Sequence, residues 1–253
     1  MERHTNWQQT MERILSMEES KDLIKRYLNM NCWKMESVLS ISPPDMEEGY
    51  PGNLYLKVVY RLCDNTLKME YEAVSDQDTL INITNHSYFN LSAGKDKIYH
   101  HQLKVKADEI ACVDENCLAN GTFLKIENTP FDFKEFHEIG ERINDDHEQL
   151  KLAGGYDHSF MVKDEDDQLV LYDKETGRKL TIDKQHFHAF RYTQETSCLA
   201  DVMERWETIR KQRWCCLRSP VLTKLHTYRK RTKGNFKKGE EYEAVTTYRF
   251  EVE

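Results

Sequence analysis

The chain has 253 residues, enough to bury one sizeable core without requiring a second domain. A formal charge of −8, a pI near 5.7 and a mean hydropathy of −0.78, with no long apolar run, argue against a nucleic-acid protein on the whole-chain average and against a membrane span. Seven cysteines, odd in number and without a C-x-x-C pair, predict free thiols, no disulfide framework and no metal site.

The opening Met1 to Thr10 is polar and charged with no apolar stretch, which predicts a cytoplasmic protein without a secretory leader. In that compartment the four N-x-S/T sequons starting at Asn82, Asn85, Asn90 and Asn120 read as chance. Residues 10 to 28 look helical, with Met11, Ile14, Leu15, Leu23, Ile24, Tyr27 and Leu28 partly on one face. From Ser37 to about Asp183 the text changes to short alternating segments, among them Leu54 to Tyr60, Thr66 to Ala73 and His101 to Ala107. Turn residues at Asp64-Asn65, Ala93-Gly94-Lys95, Asn120-Gly121 and Thr176-Gly177 separate them. This spacing predicts an all-β fold, a sandwich or barrel of antiparallel strands.

Within it, Leu80, Ile81 and Ile83 predict a strand that ends near His86, with Tyr88 and Phe89 beside the histidine. Two readings of His86 stand: a core histidine satisfied by a backbone carbonyl, or one in a site where aromatic faces stack on a sugar-like ring. Further along, Phe133 to Ile143 predicts a short helix, with Lys134, Glu135, Glu138 and Glu141 around Phe136 and Ile139. Residues 202 to 238 hold 12 Lys/Arg against 2 Asp/Glu, a block of +10 that leaves −18 for the rest of the chain. Such a block reads either as a tail for an anionic surface or as text foreign to the fold.

Asn82 to Leu91, Asn-Ile-Thr-Asn-His-Ser-Tyr-Phe-Asn-Leu, together with Gly154-Gly155-Tyr156-Asp157-His158, closely resembles two motifs of the aldose 1-epimerases, or galactose mutarotases. The stretch Ser42 to Gly52 is similar to that family's S-P-D-G-x-x-G-Y-P-G turn, with Pro44 as an extra residue and Met46 where glycine is usual. Val113-Asp114-Glu115, Thr129 to Phe133 and Tyr248-Arg249-Phe250 also look like family landmarks, so the family-like text covers about 33–183 and 237–253. The resemblance implies a single large antiparallel β-sandwich of the galactose mutarotase type, incomplete here, that carries the sugar on a concave face.

The same resemblance implies the interconversion of α and β anomers of aldohexoses such as galactose and glucose. The ring of the hemiacetal opens and closes by general acid and base catalysis, with no metal and no cofactor. His86 matches the catalytic acid, a role that suits a side chain with an ordinary pKa near 6.5. Asp157 matches the carboxylate that accepts hydrogen bonds from sugar hydroxyls; by itself it would read as a turn-capping aspartate. His158 is expected to pack beneath the site, and His100 and His101 read as surface residues. The partner implied is a small sugar, with no nucleic acid and no membrane.

Residues 1–28 and 184–236 depart from the family. An Asn-Arg pair, a His-Gly-Gly element, a T-T-x-P-x-x-Q-x-Y-T-G-N-F segment and a C-L-E element, whose glutamate is the family's general base, are absent. Glu195, Glu204, Glu207, Glu240, Glu241 and Glu243 are conceivable replacements without a motif to recommend one. Read one base out of step, the codons for Met17 to Lys25 permit the His-Gly-Gly element, and those from Lys184 to Ser197 permit the T-T-x-P segment. A weaker match follows over Met203 to Cys216. The flanks thus look out of frame, and a transcript that encodes them in frame, with the same flanks in orthologous chains, would overturn that. Without the general base, a non-catalytic sugar-binding module or a damaged, inactive member is the alternative to the enzyme.

Overall fold

A computed structural model describes residues 35–185, 190–194, 215–218 and 234–253, with backbone only for residues 35, 190–194 and 215–218. The predicted helix over residues 10–28 and most of the basic block lie outside the described residues.

Strands β1 (Met35–Ile41), β2 (Leu54–Cys63) and β3 (Thr66–Ser75) form an antiparallel meander. It continues through β16 (Glu241–Val252), β12 (Arg178–Gln185), β11 (Leu169–Asp173), β6 (Gln102–Val105) and β9 (His137–Glu138) into an eight-stranded sheet. The second sheet has six strands in the order β5 (Tyr88–Phe89), β14 (Cys215–Arg218), β13 (Phe190–Gln194), β10 (Asp157–Val162), β7 (Ala107–Val113) and β8 (Ala119–Lys125). A two-residue pair, β4 (Thr79–Leu80) with β15 (Asn235–Phe236), stands apart. The expected antiparallel all-β sandwich is what forms.

Alternation explains the layering. On β10, His158, Phe160 and Val162 are buried while Asp157 and Met161 are half-buried; on β6, Leu103 and Val105 are buried. Period-two segments of this kind turn one face to the core. Phe131, Phe133, Tyr156 and Phe160 fill the core, with rings in edge-on contact at 5.2–6.2 Å, and each buried ring stabilises the fold by roughly 1.5–3 kcal/mol.

Two expectations about local structure need correction. Residues 133–143 form no helix; they run as turns through β9. Tertiary backbone bonds override the helical pattern there: the Ile139 N–H donates to the His101 carbonyl and the Gly140 N–H to the Tyr99 carbonyl. The one α-helix among the described residues is α1 (Glu148–Ala153), capped by the His147 ring at its start and by left-handed Gly154 at its end. The strand expected over residues 80–83 stops at Leu80, because β4 pairs only with β15. His86 therefore lies in an extended stretch ahead of β5 rather than at a strand end.

Candidate functional site

The cross-strand register relates the two expected site residues. Asp157 pairs with Thr193, Thr193 with Cys216, and Cys216 with Tyr88. Cross-strand partners share a face, so Asp157 and Tyr88 lie on the same side of the six-stranded sheet. Three strand spacings separate them, roughly 14 Å along the sheet before curvature. His86 is exposed two residues before Tyr88, their rings 5.3 Å apart. Asp157 is half-buried on the first residue of β10. The fold thus brings both to one sheet.

Beneath Asp157, His158 is fully buried, as expected. Its Nδ1 accepts the Asp157 N–H at 3.2 Å, so Nε2 carries the proton and donates to Gln149 Oε1 at 3.2 Å. Gln149 in turn holds both backbone groups of Val113, at 2.7 and 3.2 Å, which ties α1 to β7 and fixes the floor under β10. The His158 ring also meets Phe131 at 4.6 Å.

The candidate replacement bases are not brought to this place. Glu240 closes a turn by accepting the Lys237 N–H at 2.8 Å, and Glu241 and Glu243 are exposed on β16 in the other sheet. Glu195, Glu204 and Glu207 lie outside the described residues.

Of the two histidines expected at the surface, His100 is half-buried, with 30% of its side chain exposed, and His101 is not a surface residue. His101 is 0% exposed, and its Nε2 accepts the Leu91 N–H at 2.9 Å. Burial holds its pKa down to about 4, against the pull of Asp173 and with a small further push from His100, so the ring is neutral at ordinary pH. Asp173, also 0% exposed, accepts from the Thr176 hydroxyl at 2.7 Å and the Glu175 N–H at 3.3 Å. Burial pushes its carboxyl up, but those two bonds and the imidazoles outweigh it and leave the carboxyl below its ordinary value. Sequence reasoning missed this cluster, although alternation along His101, Leu103, Val105 and Ala107 places His101 on the buried face.

His100, His101 and Asp173 hold ligand-type atoms within 4.8 Å of one another, the one grouping of three such residues among the described residues. It does not fit a metal. Because Nε2 of His101 receives an amide proton, its own proton sits on Nδ1, and the free nitrogen is a donor rather than a lone pair. Two cavities among the described residues contain neither His86 nor Asp157. One of about 600 Å³ lies at the β6–β9 edge, where Lys97 covers Tyr99, Lys104 covers Phe136 and His137 pairs with Glu141. Another of about 370 Å³ lies beside β1 and is crossed by the Lys57–Glu72 ion pair.

A two-layer antiparallel sandwich with a histidine ahead of a short aromatic strand, and a Gly-Gly-Tyr-Asp-His run entering a neighbouring strand of the same sheet, defines a mutarotase-type fold. A model of the aldose 1-epimerase family matches residues 32–249, and the chain belongs to that family, whose relatives are named as isomerases. It is 40% identical over 122 residues to the galactose mutarotase of Mus musculus, covering 48% of this chain and 34% of that one. To the aldose 1-epimerase of Escherichia coli (strain K12) it is 34% identical over 140 residues, covering 55% and 40%. The matched segment thus spans little more than a third of these relatives. Among solved structures, a galactose 1-epimerase from Lactobacillus acidophilus NCFM superposes with a TM-score of 0.72 at 24% identity, over 88% of this chain and 65% of that one. An aldose epimerase homologue from C. elegans gives 0.74 at 20%, over 86% and 66%. These two likenesses concern the fold.

Proposed function

We propose that this chain acts on aldohexoses such as galactose and glucose and interconverts their α and β anomers. Protonated His86 donates to the ring oxygen while a base takes the proton of the anomeric hydroxyl. The C1–O5 bond breaks, the open aldehyde turns about C1–C2, and closure on the other face returns both protons. Asp157 accepts hydrogen bonds from sugar hydroxyls and orients the ring. The reaction is a balanced proton exchange and calls for no metal or cofactor. Family membership over residues 32–249 is the observation that carries this reading, and the register that puts Asp157 and Tyr88, the neighbour of His86, on one sheet face supports it.

A second reading is favoured by the position of the carboxylates. Glu241 and Glu243 are exposed on β16, in the other sheet from Asp157. On that reading the chain binds sugar without turning it over. Polarimetry of freshly dissolved α-galactose separates the two. Acceleration of mutarotation that falls by roughly 10²–10⁴-fold in His86→Ala supports the enzyme. Calorimetric binding of galactose that is lost in Asp157→Ala, without acceleration, supports the binding module, and absence of both overturns the proposal.

A further inference from the structure

Leu91 is the last residue of the His86 motif, and both of its backbone polar groups are held by the other layer of the sandwich. Its N–H donates to His101 Nε2 at 2.9 Å, and its carbonyl accepts from Arg178 Nη1 at 2.7 Å and from the Thr176 hydroxyl at 3.3 Å. His101 enters β6, Arg178 opens β12 and Thr176 sits in the turn between β11 and β12, so three neighbouring segments of the eight-stranded sheet converge on one residue in the turn that follows β5 of the six-stranded one. Thr176 is itself fixed by Asp173 at 2.7 Å. Leu91, His101 and Asp173 are all buried.

From this convergence we infer that His101 is a positioning residue for His86, acting through Leu91 together with Thr176 and Arg178. The inference rests on the reading of His86 as the site's acid.

The physical case is one of reach. β5 is two residues long, and its neighbour in the sheet is β14, paired to it only at Tyr88 and Phe89. So short a ladder cannot by itself fix the register of an exposed histidine two residues upstream. Upstream, the Ile83 N–H donates to the Tyr242 hydroxyl at 3.2 Å, and the Asn85 side chain accepts from the Ser87 N–H at 3.0 Å. The buried grip on Leu91 supplies the downstream anchor. Rotating or sliding that peptide would carry Phe89 off Tyr248, its ring neighbour at 5.5 Å, and Tyr88 with it. His86 would follow, and displacing a catalytic group by about 1 Å costs on the order of 10²-fold in rate.

Three variants, a control and two readouts test this. His101→Leu removes the acceptor, His101→Gln restores one near Nε2, and Arg178→Met removes a donor on the carbonyl side from an exposed position that leaves folding intact. Leu103→Ala, which loosens the same strand while leaving the donors and acceptor that hold Leu91 in place, is the control. The first readout is the ring titration of His86 by side-chain NMR, which needs no activity. His101→Leu and Arg178→Met should shift or broaden it, His101→Gln should bring it back, and Leu103→Ala should leave it alone. The second is polarimetry, where kcat should fall roughly 10–100-fold in His101→Leu and Arg178→Met with KM little changed. If His101→Leu does not fold, Arg178→Met decides. An unchanged His86 titration in Arg178→Met overturns the inference. A wild-type chain that leaves mutarotation unaccelerated overturns the catalytic reading instead, while the titration still judges the grip.

Discussion

A protonated His101 cannot accept the amide proton of Leu91, and this makes the fold's acid sensitivity traceable to one ring. Burial, the dominant cause, holds its pKa at about 4 in the folded chain against 6.5 when exposed. Between those values the unfolded chain binds more protons than the folded one, so stability rises with pH. The contribution is complete above about pH 6.5 and is lost as pH falls toward 4, on the order of 3 kcal/mol at most for a shift of this size. Asp173, held below its ordinary carboxylate value, acts in the same direction at still lower pH. Urea unfolding of wild type should show the midpoint dropping between pH 6.5 and 4, and His101→Gln should flatten that drop. An equal slope in both proteins would assign the acid sensitivity elsewhere. At constant pH 7, His101→Leu should cost about 1–3 kcal/mol, because it leaves the Leu91 N–H buried without an acceptor.

The turn between β1 and β2 shows what a motif encodes and where this chain departs from it. Asp45 accepts the Gly52 N–H at 2.6 Å and the Gln77 amide at 3.1 Å, and Asn53 reaches Asp76 through its amide at 2.6 Å. Gly52 has φ +86°, and a Cβ there would collide with the Ser75 hydroxyl, so glycine is required. Met46, standing where the family motif carries glycine, also has a left-handed φ of +64°, and its side chain is exposed. Met46→Gly should therefore raise stability by about 0.5–1 kcal/mol, read as a higher thermal midpoint. No gain would mean that the side chain offsets the strain through contacts with its neighbours. Turns of this kind and the alternating strands were legible in the sequence because they depend on local pattern. What was not legible depends on distant partners. The 133–143 segment lost its helix to backbone acceptors near residue 100, and His101 was mistaken for a surface residue because its acceptor role involves Leu91 across the sandwich. Lys184, where the family-like text ends, illustrates the limit from the other side. It is 3% exposed in a row with Thr246 and Met69 on the core face, a setting in which lysine is uncommon.

Across the whole molecule the eight-stranded sheet extends beyond the layer that covers it. Burial decays along its core-facing rows toward β1. Tyr71 is 4% exposed, its neighbour Val58 is half-buried, and Leu39 at the end of that row is 55% exposed. The next row repeats the gradient, from Ala73 at 4% through Leu56 to Ile41 at 56%. Among the described residues β1 is also an edge strand, and it lacks the devices that protect such edges: no lysine, no proline and no bulge, with a single charge, Glu36, paired to Arg61. An apolar edge of this composition invites pairing with other chains and predicts concentration-dependent self-association. Because the chain already carries −8, acidic substitutions add to mutual repulsion where lysines would reduce it. The double variant Leu39→Glu with Ile41→Glu should shift light scattering toward a single species and raise the soluble yield. Both positions are more than half exposed, so the thermal midpoint should move by no more than about 0.5 kcal/mol of stability allows. A wild-type chain that stays monodisperse at high concentration, or a variant that scatters as wild type does, would show that this edge is not where the chains meet.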